Sequence, residues 1–299
     1  MTGRLAAALR PLSPRSRRWR RFLRSLPLDP DRLSRPLASP GRRDFIICGP
    51  SRSGTTLLCA ALFQPPAAVT VMEPWDGMRM PPAELFASLR REIASTGRLA
   101  RGRLDVPALR RDGAARRLPE GRASVAIRVG EDYLLGVKWP AYWRFLDLLP
   151  DTKFLVCIRH PFQVVASFKR SGGRLAEGLD YDTRFNRAMN GWLLSATRDP
   201  AVRRVMLYDY VMSRVIPHLG RPNVLAVRYE RWLEDPPALM EEVRAFLGAD
   251  LHPPALAIRE PRSPGLPEDE ARLVAARCTT ATALGYDLST AEEAGAKGS

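Results

Sequence analysis

The sequence predicts an α/β fold of three layers, α/β/α, with a parallel central sheet. Short apolar runs of strand composition alternate along the chain with longer segments of helical period, the pattern of successive βαβ units. The first run, in DFIICGPSRSGTTLL (Asp44 to Leu58), passes through a glycine loop directly into a helix. No run of 18 apolar residues suggests a membrane span, and the four cysteines follow neither ligand nor disulfide spacing.

Each element has a local reason. Phe45-Ile46-Ile47-Cys48 reads as a buried strand from its length and β-branched content, Gly49-Pro50 ends it, and a helix opens at Thr55-Thr56 and runs to Phe63. Gln64-Pro65-Pro66 is a stop; Val69 to Met72 is a second strand ending at Glu73-Pro74-Trp75, and 83–97 is helical. The Arg/Gly-rich stretch 98–122 is an irregular insertion. Leu134 to Lys138 is a third strand, followed by a helix over 141–149. Lys153 to Ile158 is a fourth strand running into Arg159-His160-Pro161, where proline suits the first position of a helix. Helices over 182–198 and 201–216, a strand over 223–228, a helix over 236–247 and a closing helix over 267–279 complete the order. The expected organisation is a basic arm over 1–43, one domain over 44–290 and a tail over 291–299.

The net charge of +15 is concentrated in that arm, where twelve arginines face two aspartates. Basicity of this kind suits nucleic acid or an anionic membrane. Arginine is abundant throughout while lysine appears four times, so the charge points to no nucleic-acid partner. The arm resembles a transit peptide in being arginine-rich and acid-poor, and Trp19, Phe22, Leu23 and Leu26 would allow peripheral membrane contact. A solvated arm broken by prolines, on a cytoplasmic protein, is the expectation. Histidines at 160, 218 and 252 are too dispersed for a zinc site, and no metal is expected. The sequence sets no oligomeric state.

Strand, glycine loop and helix N-terminus make a phosphate cradle, because unpaired N–H groups and the helix dipole converge on the loop. Gly49 and Gly54 keep the spacing of the Walker A motif, so the fold is P-loop-NTPase-like. Thr55-Thr56 stands where that motif needs Lys-Ser/Thr, and Arg52 is the nearest loop cation. Where a P-loop NTPase places its magnesium-holding aspartate, at a later strand end, this chain has Arg159. Both departures argue against the alternative reading, a nucleotide kinase or NTPase.

SRSGTT resembles the 5′-phosphosulfate loop of sulfotransferases that use 3′-phosphoadenosine 5′-phosphosulfate (PAPS). Arg159-His160-Pro161 with Ser167 eight residues after Arg159 resembles the family's 3′-phosphate element, and Val227-Arg228-Tyr229-Glu230 with Phe246-Leu247-Gly248 its C-terminal signature. Order and spacing match over about 44–286. The resemblance implies that Arg52, Ser53, Gly54, Thr55 and Thr56 hold the 5′-phosphate and sulfate, that Arg159 and Ser167 hold the 3′-phosphate, and that Tyr229 meets the adenine. Lys138, a rare lysine at a strand end, would meet the bridging oxygen. The aryl and steroid members use a histidine two residues beyond this lysine. Pro140 stands there, so the chain is closer to the carbohydrate, tyrosylprotein and bacterial members. Glu73, before Pro-Trp, resembles the Glu-Pro of the carbohydrate members and the base of the tyrosylprotein members, and this resemblance makes it the candidate base, with Asp76 the fallback. The implied reaction is sulfuryl transfer from PAPS to a hydroxyl of a small molecule or glycan, releasing 3′-phosphoadenosine 5′-phosphate (PAP), with a carbohydrate, glycolipid or secondary metabolite as acceptor.

Overall fold

A computed structural model of the chain describes residues 30, 33, 35–74, 76–99, 125–181, 184–252 and 266–289. Five parallel strands, β1 (Asp44–Cys48), β2 (Ala68–Met72), β5 (Leu134–Lys138), β6 (Lys153–Ile158) and β7 (Val224–Arg228), form one sheet in the order β2-β5-β1-β6-β7. Every residue of β1, β2 and β5 is buried. Alternate side chains of a strand point to opposite faces, so burial of all of them means that both faces are covered. The covering is helical: α1 (Thr55–Ala61), α2 (Pro82–Thr96), α3 (Pro161–Arg170), α4 (Gly173–Ala176), α5 (Arg187–Ala196), α6 (Pro200–Val215), α7 (Arg231–Glu234), α8 (Pro236–Leu247) and α9 (Glu268–Arg277). The expected α/β/α architecture with a parallel sheet is the one found.

The order also fixes where the ligand goes. The chain leaves the central β1 toward β2 on one side and returns to place β6 and β7 on the other. The crevice at the carboxyl ends of β5, β1 and β6 is therefore a topological switch point, where open α/β sheets bind ligands. Asp44, at the opposite end of β1, is salt-bridged to Arg90 of α2 at 2.6 Å.

Differences from the sequence expectation lie where tertiary contacts override local period. The helix expected over 141–149 is a 3₁₀ turn, Pro140–Phe145, because its residues are claimed by the fold. Gly49 N donates to Pro140 O at 3.3 Å, Tyr142 stacks on Trp139, and the Tyr142 hydroxyl donates to Gly77 O. The helix expected from 182 begins at Arg187, after a 3₁₀ turn at Arg184–Asn186. Of the stretch 98–122, Arg98–Leu99 forms β3 and pairs antiparallel with β4 (Val125–Ala126); the remainder, 100–122, lies outside the described residues. So do Trp75, the tail 291–299 and most of the arm. The arm's last residues meet the domain: Leu37 packs on the core and its N–H donates to Leu148 O at 2.8 Å.

Candidate active site

The glycine loop is built tightly. Gly49 (φ +132°) passes so close to β6 that a Cβ there would stand 2.3 Å from Cys157 O. Gly54 (φ +97°) faces Tyr229, and a Cβ would meet its ring at 2.6 Å. Only glycine satisfies both the space and the dihedral. Ser53, almost fully buried, donates from Oγ to Pro50 O at 2.6 Å, and Gly54 caps α1. Thr55 and Thr56 open that helix, with Thr55 buried. Two non-glycine residues among the described ones have positive φ, Arg52 (+73°) and Glu73 (+50°). Both belong to the predicted site. Strain of this kind persists only where surrounding structure enforces it, and it gathers at functional positions.

On the β6–β7 side of the loop stands a cationic group. Arg52 Nε donates to Ser167 Oγ at 2.9 Å, which brings the loop onto α3. Arg159, directly after β6, is 6% exposed; its Nε donates to Gln163 Oε1 at 2.9 Å and its Nη1 to Arg52 O at 3.3 Å. The guanidinium lies 4.0 Å over the ring of Tyr229, whose own N–H donates to Ile158 O. Arg159 Nη2 is buried with no hydrogen-bond partner. Burial pulls the Arg159 pKa below the ordinary arginine value, with Arg52 and Arg170 adding to the effect and Tyr229 and Glu230 opposing it. A buried guanidinium that keeps one N–H unmet is costly unless an anion completes it. Tyr208 Oη donates to Arg159 O at 3.0 Å and Glu230 Oε1 accepts from His160 N at 2.7 Å, which fixes the strand end.

On the β2–β5 side stands an ion pair. Met72 and Lys138 are partners across the two strands, so Glu73 and Lys138 emerge together at the carboxyl end. Lys138 Nζ, 3% exposed, lies 2.7 Å from Glu73 Oε1, and Glu73 N donates to Lys138 O at 2.8 Å. Asp76 sits in the following turn, 3.9 Å from Arg79. The four cysteines are free and buried; burial pushes the Cys59 thiol up to about 12, against the pull of Lys138, so it is a packing group.

All ten predicted site residues therefore lie at the carboxyl ends of the strands or on the loop and helices that follow them. They fall into two groups on either side of the glycine loop. Arg52, expected beside the sulfate, has its side chain with Ser167 in the cationic group. Sequence reasoning missed Gln163, which orients Arg159 and whose only signal is its place one helical turn on. It also missed Asp180, whose Oδ1 accepts from Ser51 Oγ at 3.3 Å.

The sulfotransferase family model matches residues 44–253, most of the chain and every element of this site. The chain belongs to the sulfotransferase family. The nodulation protein NoeE of Sinorhizobium fredii is 29% identical over an alignment of 223 residues that covers 69% of this chain and 50% of NoeE. The chain thus spans half the length of that curated relative. Among solved structures, a sulfotransferase from Alicyclobacillus acidocaldarius is 17% identical with a TM-score of 0.44, covering 86% of this chain and 100% of its own. The sulfotransferase domain of the Synechococcus olefin synthase is 20% identical with a TM-score of 0.42, covering 84% and 97%.

Proposed function

We propose that the protein transfers a sulfuryl group from PAPS to a hydroxyl group of a small-molecule or glycan acceptor, releasing PAP. The observation that carries this reading is the unmet buried N–H of Arg159, beside Ser167 and Arg52 and over the Tyr229 ring. This donor set fits a phosphate dianion next to an aromatic base, since guanidinium forks and hydroxyls bind phosphate oxygens and a tyrosine face stacks on adenine. It would take the 3′-phosphate, with Tyr229 against the adenine. The loop N–H groups of Ser53 to Thr56 would take the 5′-phosphate. Arg52, one residue before this cradle, adds its charge to the 3′-phosphate group in the rotamer observed and lies within the loop that meets the 5′ end.

PAPS supplies a sulfuryl group whose transfer has a loose transition state, so the chain's task is positioning and charge stabilisation. Lys138 provides a compact cation for the charge that develops on the leaving phosphate. Glu73 accepts the proton of the acceptor hydroxyl; an ionised carboxylate is the form able to do so, and Lys138 is its counter-charge in the structure. Its backbone is left-handed at the strand end, and its carboxylate lies 2.7 Å from that lysine. A carbohydrate or glycolipid acceptor is favoured by Glu-Pro at the strand end, by Pro140 in place of the aryl enzymes' histidine, and by the exposed ring of Tyr181, which offers a face to a sugar.

Titration calorimetry with PAP, adenosine 5′-phosphosulfate and ATP tests the reading. PAP should bind far more tightly than either of the others. Equal affinity for PAP and for nucleotides without a 3′-phosphate would refute it.

A further inference from the structure

Asp180 lies outside the residues so far given a role. It sits in the segment between α4 and α5, 5% exposed. Its backbone is clamped: Asp180 N donates to Asn190 Oδ1 at 3.0 Å, and Asn190 Nδ2 and Arg174 Nε both donate to Asp180 O at 3.1 Å. With the backbone fixed, Oδ1 accepts from Tyr181 N at 2.8 Å and from Ser51 Oγ at 3.3 Å. Ser51 is itself buried and immediately precedes Arg52, the loop residue held at φ +73°.

We propose that Asp180 is a positioning residue for donor binding: by accepting the Ser51 hydroxyl it holds the glycine loop in its strained conformation and joins that loop to the Tyr181 segment. Three side chains of the loop anchor it: Ser53 to Pro50 within it, Arg52 to Ser167 on α3, and Ser51 to Asp180 in the segment between α4 and α5. The third alone reaches the side where Tyr181 is exposed, so it sets donor and acceptor elements in register. A carboxylate is a costly choice for an interior position unless its hydrogen bonds do work. Burial pushes the Asp180 carboxyl above the usual aspartate range, Glu73 adds to this, and Tyr181 N, Ser51 and Arg144 act against it. The Ser51 bond is long for its type, which limits the effect of losing it to about tenfold.

This inference rests on the donor reading above, and PAP is the probe. Calorimetry on the full chain compares wild type, Asp180→Ala, Asp180→Asn, Ser51→Ala and the Ser51→Ala/Asp180→Ala double variant. Asp180→Ala should weaken PAP about tenfold, whereas Asp180→Asn, whose carboxamide oxygen can accept both bonds, should stay within about threefold. Ser51→Ala should resemble Asp180→Ala, and the double variant should be no weaker than Asp180→Ala alone, since the Ser51–Asp180 bond is already lost in either single variant. Losses that multiply in the double variant, or an asparagine variant as weak as the alanine one, would overturn the proposal and leave only a structural carboxylate. Should Asp180→Ala not fold, Ser51→Ala decides: unchanged PAP affinity overturns it. A wild type that does not bind PAP overturns the donor reading itself.

Discussion

Replacing Arg159 by alanine separates binding from stability. Three interactions and one unmet donor define the side chain: Nε on Gln163, Nη1 on the Arg52 carbonyl, a cation–π contact with Tyr229 at 4.0 Å, and an Nη2 that is buried without a partner. In the free protein the favourable contacts are offset by desolvation of the cation and by the unmet N–H, so Arg159→Ala should change Tm by no more than a few degrees. The bound state differs. A phosphate dianion would complete Nη2 with a charge-assisted bond, worth about 1.5–3 kcal/mol, in a site where Arg52 and Ser167 already converge. With the loss of the group that steadies Tyr229, the cost is on the order of 2–4 kcal/mol, or at least ~30-fold in PAP affinity. Calorimetry with PAP and with adenosine 5′-phosphosulfate reads the effect, and the PAP affinity should fall by far more than the other, which loses only the support of Tyr229 and the loop. An equal loss for both nucleotides would refute the 3′-phosphate assignment. So would a drop in Tm large enough to account for the lost binding.

Four further outcomes are expected. Glu73→Gln keeps shape and removes proton-accepting power, so turnover should fall about 10²–10⁴-fold with PAP affinity within a few-fold, while Asp76→Asn stays mild; the reverse pattern in a sulfuryl-transfer assay would make Asp76 the base. Gly54→Ala forces a Cβ toward the Tyr229 ring at φ +97°, which should cost about 1–3 kcal/mol, lowering Tm by roughly 3–10 °C and weakening PAP; an unchanged melt would show that the loop relaxes freely. Because burial raises the Asp180 pKa in the folded protein, its contribution to stability is present at low pH and lost as pH rises through that value. The Tm gain of Asp180→Asn over wild type should therefore be larger at pH 7 than at pH 4, and a constant difference would refute the assignment. Deleting residues 1–29, which stops short of the packed Leu37, should leave Tm within about 2 °C and turnover of a soluble acceptor unchanged; an insoluble product would place the arm in the core.

The sequence by itself determined the sheet and the kind of chemistry at its edge. Phe45 to Cys48, Leu134 to Lys138 and Lys153 to Ile158 are runs of four to six mostly apolar residues, enough to specify strands wherever they pack. Gly49 and Gly54 were legible as the loop from the four residues they bracket, the Walker A spacing, and the close approach of the Cys157 carbonyl and the Tyr229 ring is why both must be glycine. A lysine or arginine at a strand end was legible because alternating strands and helices bring those ends to one crevice.

Tertiary structure decided what spacing does not encode. That Glu73 meets Lys138 follows from the β2–β5 register, set by two strands 65 residues apart at that point, and no local pattern states it. The turn at 140–145 has the composition of a helix start; Tyr142 and the Pro140 carbonyl are drawn instead to Gly77 and Gly49, and those contacts outweigh propensity. Asp180 lies in an unremarkable loop sequence. Its place under the glycine loop comes from Asn190 and Arg174, which clamp the chain there, and contacts between segments distant in sequence leave no period to read.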